Sequence, residues 1–176
     1  MSLGLESGQV RVVPYDRAWE LLFTAEATRL RAALAPNLPL TLEHMGSTAV
    51  PGLAAKPILD LLGGYPPGAP VAPYIATPVR AGYVHRGEQG IPGREFFRRG
   101  EPRAYHLHLV AEGGAVWREQ LAFRDALRRA PALRDAYAAL KLELARQFPH
   151  DRESYINGKG AFVRHVLEHG SNRREP

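Results

Sequence analysis

No cysteine occurs among the 176 residues, which excludes disulfides, iron–sulfur clusters and thiolate zinc sites. Lysine is nearly as scarce, with Lys56, Lys141 and Lys159 standing against 20 arginines. No stretch approaches the roughly 20 consecutive apolar residues of a membrane span. The first 30 residues also lack a basic segment followed by an apolar one. The expectation is a soluble, cytoplasmic protein with no membrane partner.

What is present fits one buried core. The chain is 45% hydrophobic and of single-domain length, so residues 1–176 are expected to form one domain, with a disordered tail over 170–176. Charge is uneven. Residues 1–88 hold 7 basic and 7 acidic side chains, whereas residues 89–176 hold 16 and 11, so the +5 excess lies in the second half. Such a half attracts anions, although in an Ala-, Pro- and Gly-rich chain the arginines also fit a solvated face set by base composition. Where Arg is the default cation, a lysine marks a place that suits a compact ammonium better than a planar fork. Lys56 and Lys159 lie in motif-like surroundings. Lys141 reads as a solvated position on an amphipathic helix.

Hydrophobic spacing predicts a helix from Asp16 to about Ala35, closed by Pro36 to Pro39, then a strand over Leu40–Met45 and a Gly46-Ser47 turn. Pro57–Leu62 is nearly continuously apolar, as in a central strand covered on both faces. A broken helix is expected around Val71–Ala81. Strands follow over Gly82–Arg86, Arg94–Arg99 and Tyr105–Val110, the last two a hairpin turning at Gly100-Glu101-Pro102. Helices are then expected over Ala115–Arg129, Pro131 to about Phe148, and Asp151–Glu168, the last interrupted near Asn157 by Gly158 and Gly160. The fold class is α/β (α+β): a mixed sheet flanked by helices, with a C-terminal helical segment.

Two clusters carry chemistry. The run "HMGSTAVPGLAAKPILDL" matches neither a phosphate loop of the G-x-x-x-x-G-K-[ST] type nor a G-x-S-x-G elbow. It does join a strand to a turn whose N–H groups and hydroxyls can hold phosphate, and it places Asp60 on a neighbouring strand where a metal bound to that phosphate would be met. An ordinary turn with a structural Asp accounts for it equally. In "YHLHLV", His106 and His108 share a strand face with Cβ atoms roughly 6.5 to 7 Å apart. They read either as a working pair beside Arg98, Arg99 and Arg103, or as surface histidines. Glu43 and His44 point to opposite faces, so only one can join a shared site. His85, His150, His165 and His169 read as solvated. Tyr155 and Lys159 are spaced i, i+4 and would share a helix face. No nucleic-acid recognition motif is found, so a nucleic-acid partner is not expected.

The runs "VVPYDRAWELLFTAEATRLRAAL", "LEHMGSTAVPGLAAKPILDL", "FFRRG", "YHLHLV" and "LAFRDALRRAPALRDAYAALKLELARQFPHDRESYINGKGAFV" resemble the GrpB family from near Val12 to about Val166. The resemblance implies a nucleotidyltransferase-like fold with a poorly defined function. GrpB-like domains also occur fused to dephospho-CoA kinase. Against the nucleotidyltransferase pattern, Gly46 and Ser47 match the turn and Asp60 the first carboxylate. Leu62 stands at the second carboxylate position, and histidines stand on the later strand.

One Asp cannot hold two magnesium ions, so a metal held by Asp60 with His106 or His108 is expected to be Zn²⁺, Mn²⁺ or Ni²⁺ rather than Mg²⁺. Three readings follow. The first is a divergent nucleotidyl- or phosphoryl-transfer enzyme acting on a nucleotide or other phosphorylated small molecule. In it Gly46, Ser47 and Thr48 cradle phosphate, Asp60, His106 and His108 act as catalytic or metal-binding groups, and Lys56, Arg98, Lys159 and Tyr155 surround the ligand. The second is an inactive nucleotide- or coenzyme-binding module, favoured by Leu62. The third is a two-His, one-carboxylate metal enzyme unrelated to nucleotides.

Overall fold

The structure, a computed structural model, describes residues 3–34 and 38–170. The expected helix end at Ala35 to Asn37 and residues 171–176 of the expected tail lie outside them.

Helix α1 (Ala18–Ala33) starts where the Asp16 carboxylate accepts the Ala18 N–H at 2.9 Å, and it turns Trp19, Ala27 and Leu30 inward. Strand β1 (Thr41–Met45) leads through a 3₁₀ turn at Ser47–Ala49 to β2 (Leu59–Tyr65). Helix α2 (Ala72–Arg80) is continuous, with Pro78 accommodated in its last turn. Of the strand expected over Gly82–Arg86 only β3 (Val84–His85) is regular, although Arg86 N–H and Gly87 C=O continue the pairing to Phe96. Strands β4 (Glu95–Arg99) and β5 (Tyr105–Ala111) form the expected hairpin. Helices α3 (Ala115–Arg129), α4 (Pro131–Gln147), α5 (Arg152–Asn157) and α6 (Gly160–Gly170) complete the order. The Asp151 side chain caps α5 by accepting from Ser154 N–H at 3.0 Å. The break between α5 and α6 falls at Gly158, where a Cβ would press on the Leu144 side chain of α4 at 2.5 Å.

The sheet is mixed, in the order β1-β2-β5-β4-β3, with β2 and β5 parallel and every other pair antiparallel. Strand β2 is internal, one position in from the β1 edge, and β5 rather than β2 is the middle strand. Its two faces are set by the period of 2. One carries Leu42, Leu59, Leu61, Phe97, Leu107 and Leu109, which pack with α1 into the main core. The other carries Met45, Asp60, Leu62, Phe96, Arg98, His106, His108 and Val110. Helix α3 covers only part of that second face, where Trp117 packs on Met45, Leu62 and Val110. The uncovered part, from Asp60 across His106 and His108 to Phe96, is the floor of a cleft that α4, α5 and α6 wall.

Candidate functional site

The floor is built by register. Asp60 pairs with Met45 on one side and His106 on the other, and His106 in turn pairs with Arg98, so the polar groups line up across three strands. His106 Nδ1–H donates to Asp60 Oδ1 at 2.9 Å, and His108 Nε2 lies 3.4 Å from the same oxygen. Phe96 holds both rings edge-on, with its centroid 5.0 Å from each. Arg94 reaches His108 Nδ1 at 3.4 Å while donating to the carbonyls of Glu88 and Gln89.

Gly46 lies over this floor with φ at +71°, and a Cβ there would sit 2.8 Å from Asp60 Oδ2. Glycine is therefore required by conformation and by close approach together. Two arginines of α3 pin the turn: Arg128 donates to Ala49 O at 2.7 and 2.9 Å, and Arg124 to His44 O at 2.9 Å. The turn is thereby held rigid above the carboxylate.

Burial alone would raise the Asp60 carboxyl, but hydrogen bonds from His106 and His108 hold it below the ordinary carboxylate range. Burial brings His106 down to about 4 despite the Asp60 hydrogen bond. At neutral pH the pair is thus a carboxylate accepting from a neutral imidazole. The His106 side chain is 8% exposed, and its Nε2 has no hydrogen-bond partner among the described residues. A neutral ring that spends its Nδ1 proton on Asp60 leaves Nε2 as a bare lone pair.

The cleft has a volume of about 710 Å³ and brings together Gly46, Ser47, Thr48, Lys56, Asp60, His106, His108, Tyr155 and Lys159. Lys56 and Lys159 both direct their ammonium groups at the Tyr155 ring, 5.1 and 4.7 Å from its centroid. They do so although the helix breaks between Tyr155 and Lys159. Thr48 turns its hydroxyl away to His44 Nε2, 3.0 Å off, on the opposite face of the sheet. Glu43, the residue that does share the site face, is ion-paired to Arg124 at 2.7 Å.

Three sequence expectations need correction. Lys141 is not solvated: it is 1% exposed, bonds Ala54 O and lies 4.8 Å over the Tyr137 ring, because Tyr137, Lys141 and Leu144 share the inward face of α4. Its identity as a lysine in an arginine-rich chain was the available signal. Arg98 does not line this cleft; it stacks over Phe96 at 5.4 Å and faces a neighbouring hollow. His85 is half-buried and bonded to Glu95 at 2.6 Å rather than solvated. Arg94 and Arg152 also wall the cleft, and nothing in the sequence separates them from the other arginines.

Burial lowers all three lysines, Lys56 and Lys141 to about 7 with repulsion from Lys159 adding, and Lys159 to about 8 with repulsion from Arg152 adding. The three lysines with Arg94 and Arg152 outnumber the Asp60 and Glu119 carboxylates of the lining, which makes a cleft that favours anions. Asp60, His106 and His108 also offer one ligand atom each, all within 4.8 Å of one another. Two imidazoles and one carboxylate suit a borderline transition metal better than magnesium.

Among the described residues no helix is long and apolar enough to cross a membrane. The UPF0157 protein YqkA of Bacillus subtilis is 34% identical over 161 residues, covering 91% of this chain and 47% of the relative. A dephospho-CoA kinase of Mycolicibacterium paratuberculosis is 26% identical over 181 residues, covering 88% of this chain and 44% of the kinase. The chain therefore spans about half the length of these two relatives. Its fold superposes on the crystal structure of the conserved protein GrpB from Enterococcus faecalis with a TM-score of 0.81 and 35% identity, covering 91% of this chain and 96% of that one. With residues 9–169 matching the model described as GrpB protein, the chain belongs to the GrpB family.

Proposed function

We propose that the cleft binds a nucleotide or another phosphorylated small molecule and acts on it as a divergent nucleotidyl- or phosphoryl-transfer centre. One observation carries the reading: all three lysines, scattered over positions 56, 141 and 159, converge on the hollow that holds the Gly46-Ser47 turn and Asp60. A phosphate seated at the turn would return the depressed ammonium groups to their charged state, so binding takes up protons. The rigid donors around it would stabilise charge developing on a transferred group. The name of the M. paratuberculosis relative, a kinase for a coenzyme precursor, agrees with a phosphorylated ligand.

The donor set of Asp60, His106 and His108 fits a single Zn²⁺, Mn²⁺ or Ni²⁺, which would supply Lewis-acid polarisation of a phosphate oxygen. Leu62 is fully buried against Met45, Val110 and Trp117, so the second carboxylate of a two-metal centre has no substitute there. That gap supports the alternative of a binding module that retains the cradle without turnover. The unpartnered Nε2 of His106 supports metal or proton chemistry over inert binding.

Titration calorimetry with nucleoside mono-, di- and triphosphates in two buffers of different ionisation enthalpy tests the proposal. The expected result is binding with net proton uptake near pH 8, weakened by about tenfold or more in Lys56→Met. Absence of binding to every phosphorylated compound, or binding indifferent to Lys56, contradicts it.

A further inference from the structure

A second hollow of about 470 Å³ opens beside the cleft, walled by Ser7, Arg86, Arg98, Arg99, Glu101 and Arg103. Its arginines are not alike. Arg99 stacks on Tyr105 at 4.3 Å and pairs with Glu26 on the other face of the sheet, so its charge is spoken for. Arg98 Nε and both Nε and Nη2 of Arg103 are buried without a hydrogen-bond partner among the described residues. So is Nε of Arg152, which lines the main cleft. Arg103 is 8% exposed. Glu101 stands in the same wall, yet among the described residues neither it nor any other acid pairs with Arg86, Arg98, Arg103 or Arg152. Burial, and then repulsion from Arg152, Arg103 and Arg86, brings Arg98 down to about 10.

Buried guanidinium N–H groups are expected to have acceptors, and a cluster that lacks them on one side is complementary to a multivalent oxyanion. We propose that Arg98, Arg103 and Arg152 form a second anion site that takes a phosphate group, distinct from the Gly46-Ser47 turn. Planar guanidinium forks suit the tetrahedral oxygens of phosphate, where lysine would supply only point charges. Arg152 lines the cleft, and its charge acts both on Lys56 and Lys159 there and on Arg98 and Arg103 beside it. The phosphate would be either a second group of one ligand that reaches past Arg152 or a separate small anion.

The test is titration calorimetry of inorganic phosphate, adenosine 5′-monophosphate and adenosine 3′,5′-bisphosphate on the wild type, Lys56→Met, Arg98→Met and Arg103→Met, each verified as folded by its melting curve. The expected result is that Lys56→Met still binds inorganic phosphate while Arg98→Met and Arg103→Met weaken it by about tenfold. If Arg103→Met does not fold, Arg98→Met decides. A bisphosphate that binds about tenfold tighter than the monophosphate, with the gain lost in Arg98→Met, supports one ligand spanning both places. Equal affinities, with phosphate still sensitive to Arg98, support a separate anion. Phosphate binding that is undetectable in the wild type, or unchanged in Arg98→Met, overturns the proposal; nucleotide binding that still depends on Lys56 distinguishes that failure from failure of the cleft reading.

Discussion

Glu26 on one face of the sheet and Asp60 on the other each sit beside cations, and the two are handled in opposite ways. On the α1 face, Glu26 is 3% exposed and accepts from Arg29 at 2.6 and 3.0 Å, from the Tyr83 hydroxyl at 2.7 Å, and from Arg99. Every partner is fixed. On the cleft face, Asp60 is 27% exposed and meets two imidazoles, one of which keeps an unpartnered nitrogen, amid cations that outnumber it. Completed charge is structural, whereas surplus charge facing a hollow waits for a ligand.

Substitution should separate the two. Glu26→Gln leaves the partly exposed Arg29 and Arg99 without their counter-charge and should cost about 2 kcal/mol in a urea unfolding experiment. Asp60→Asn should leave the fold intact but lower affinity for Zn²⁺ or Ni²⁺ by about 100-fold, read by competition with a metal indicator. Equal metal affinity in the two proteins would remove Asp60 from the ligand set. Lys56→Met removes a half-buried ammonium that has no acid partner among the described residues, so stability should stay level or rise by about 1 kcal/mol, the reverse of Glu26→Gln. A loss as large as that of Glu26→Gln would mean that the lysine is structural.

The same contrast carries over to the pH dependence of the unliganded protein. The unfolded chain holds its lysine protons up to about 10.5, while folding lowers Lys56 and Lys141 to about 7 and Lys159 to about 8. Between those limits the unfolded state binds more protons, so the melting temperature should climb from pH 7 to 9. Saturating pyrophosphate should flatten that climb by recharging the lysines.

Most of the fold could be read in the sequence because periodicity is local. Helix α3 falls at its expected bounds, and the H-x-H pattern of β5 set His106 and His108 on one face opposite Leu107. The placement of Asp60 beside His106 depends on a parallel pairing between strands 46 residues apart, which only the family resemblance suggested. Lys141 was misread because an amphipathic helix was assumed to have solvent on its polar side, where the chain instead placed Ala54 and a cleft. Arg98 was assigned to the wrong hollow because strand register fixes where a side chain starts, and stacking on Phe96 decides where its guanidinium ends.

The most direct measurement is a crystal structure of the protein soaked with pyrophosphate. The account predicts density against the Gly46-Ser47 turn, within hydrogen-bond reach of Lys56 and Lys159 and facing Asp60. A pyrophosphate bound away from that turn, or a cleft that stays free of it at millimolar concentration, would contradict it.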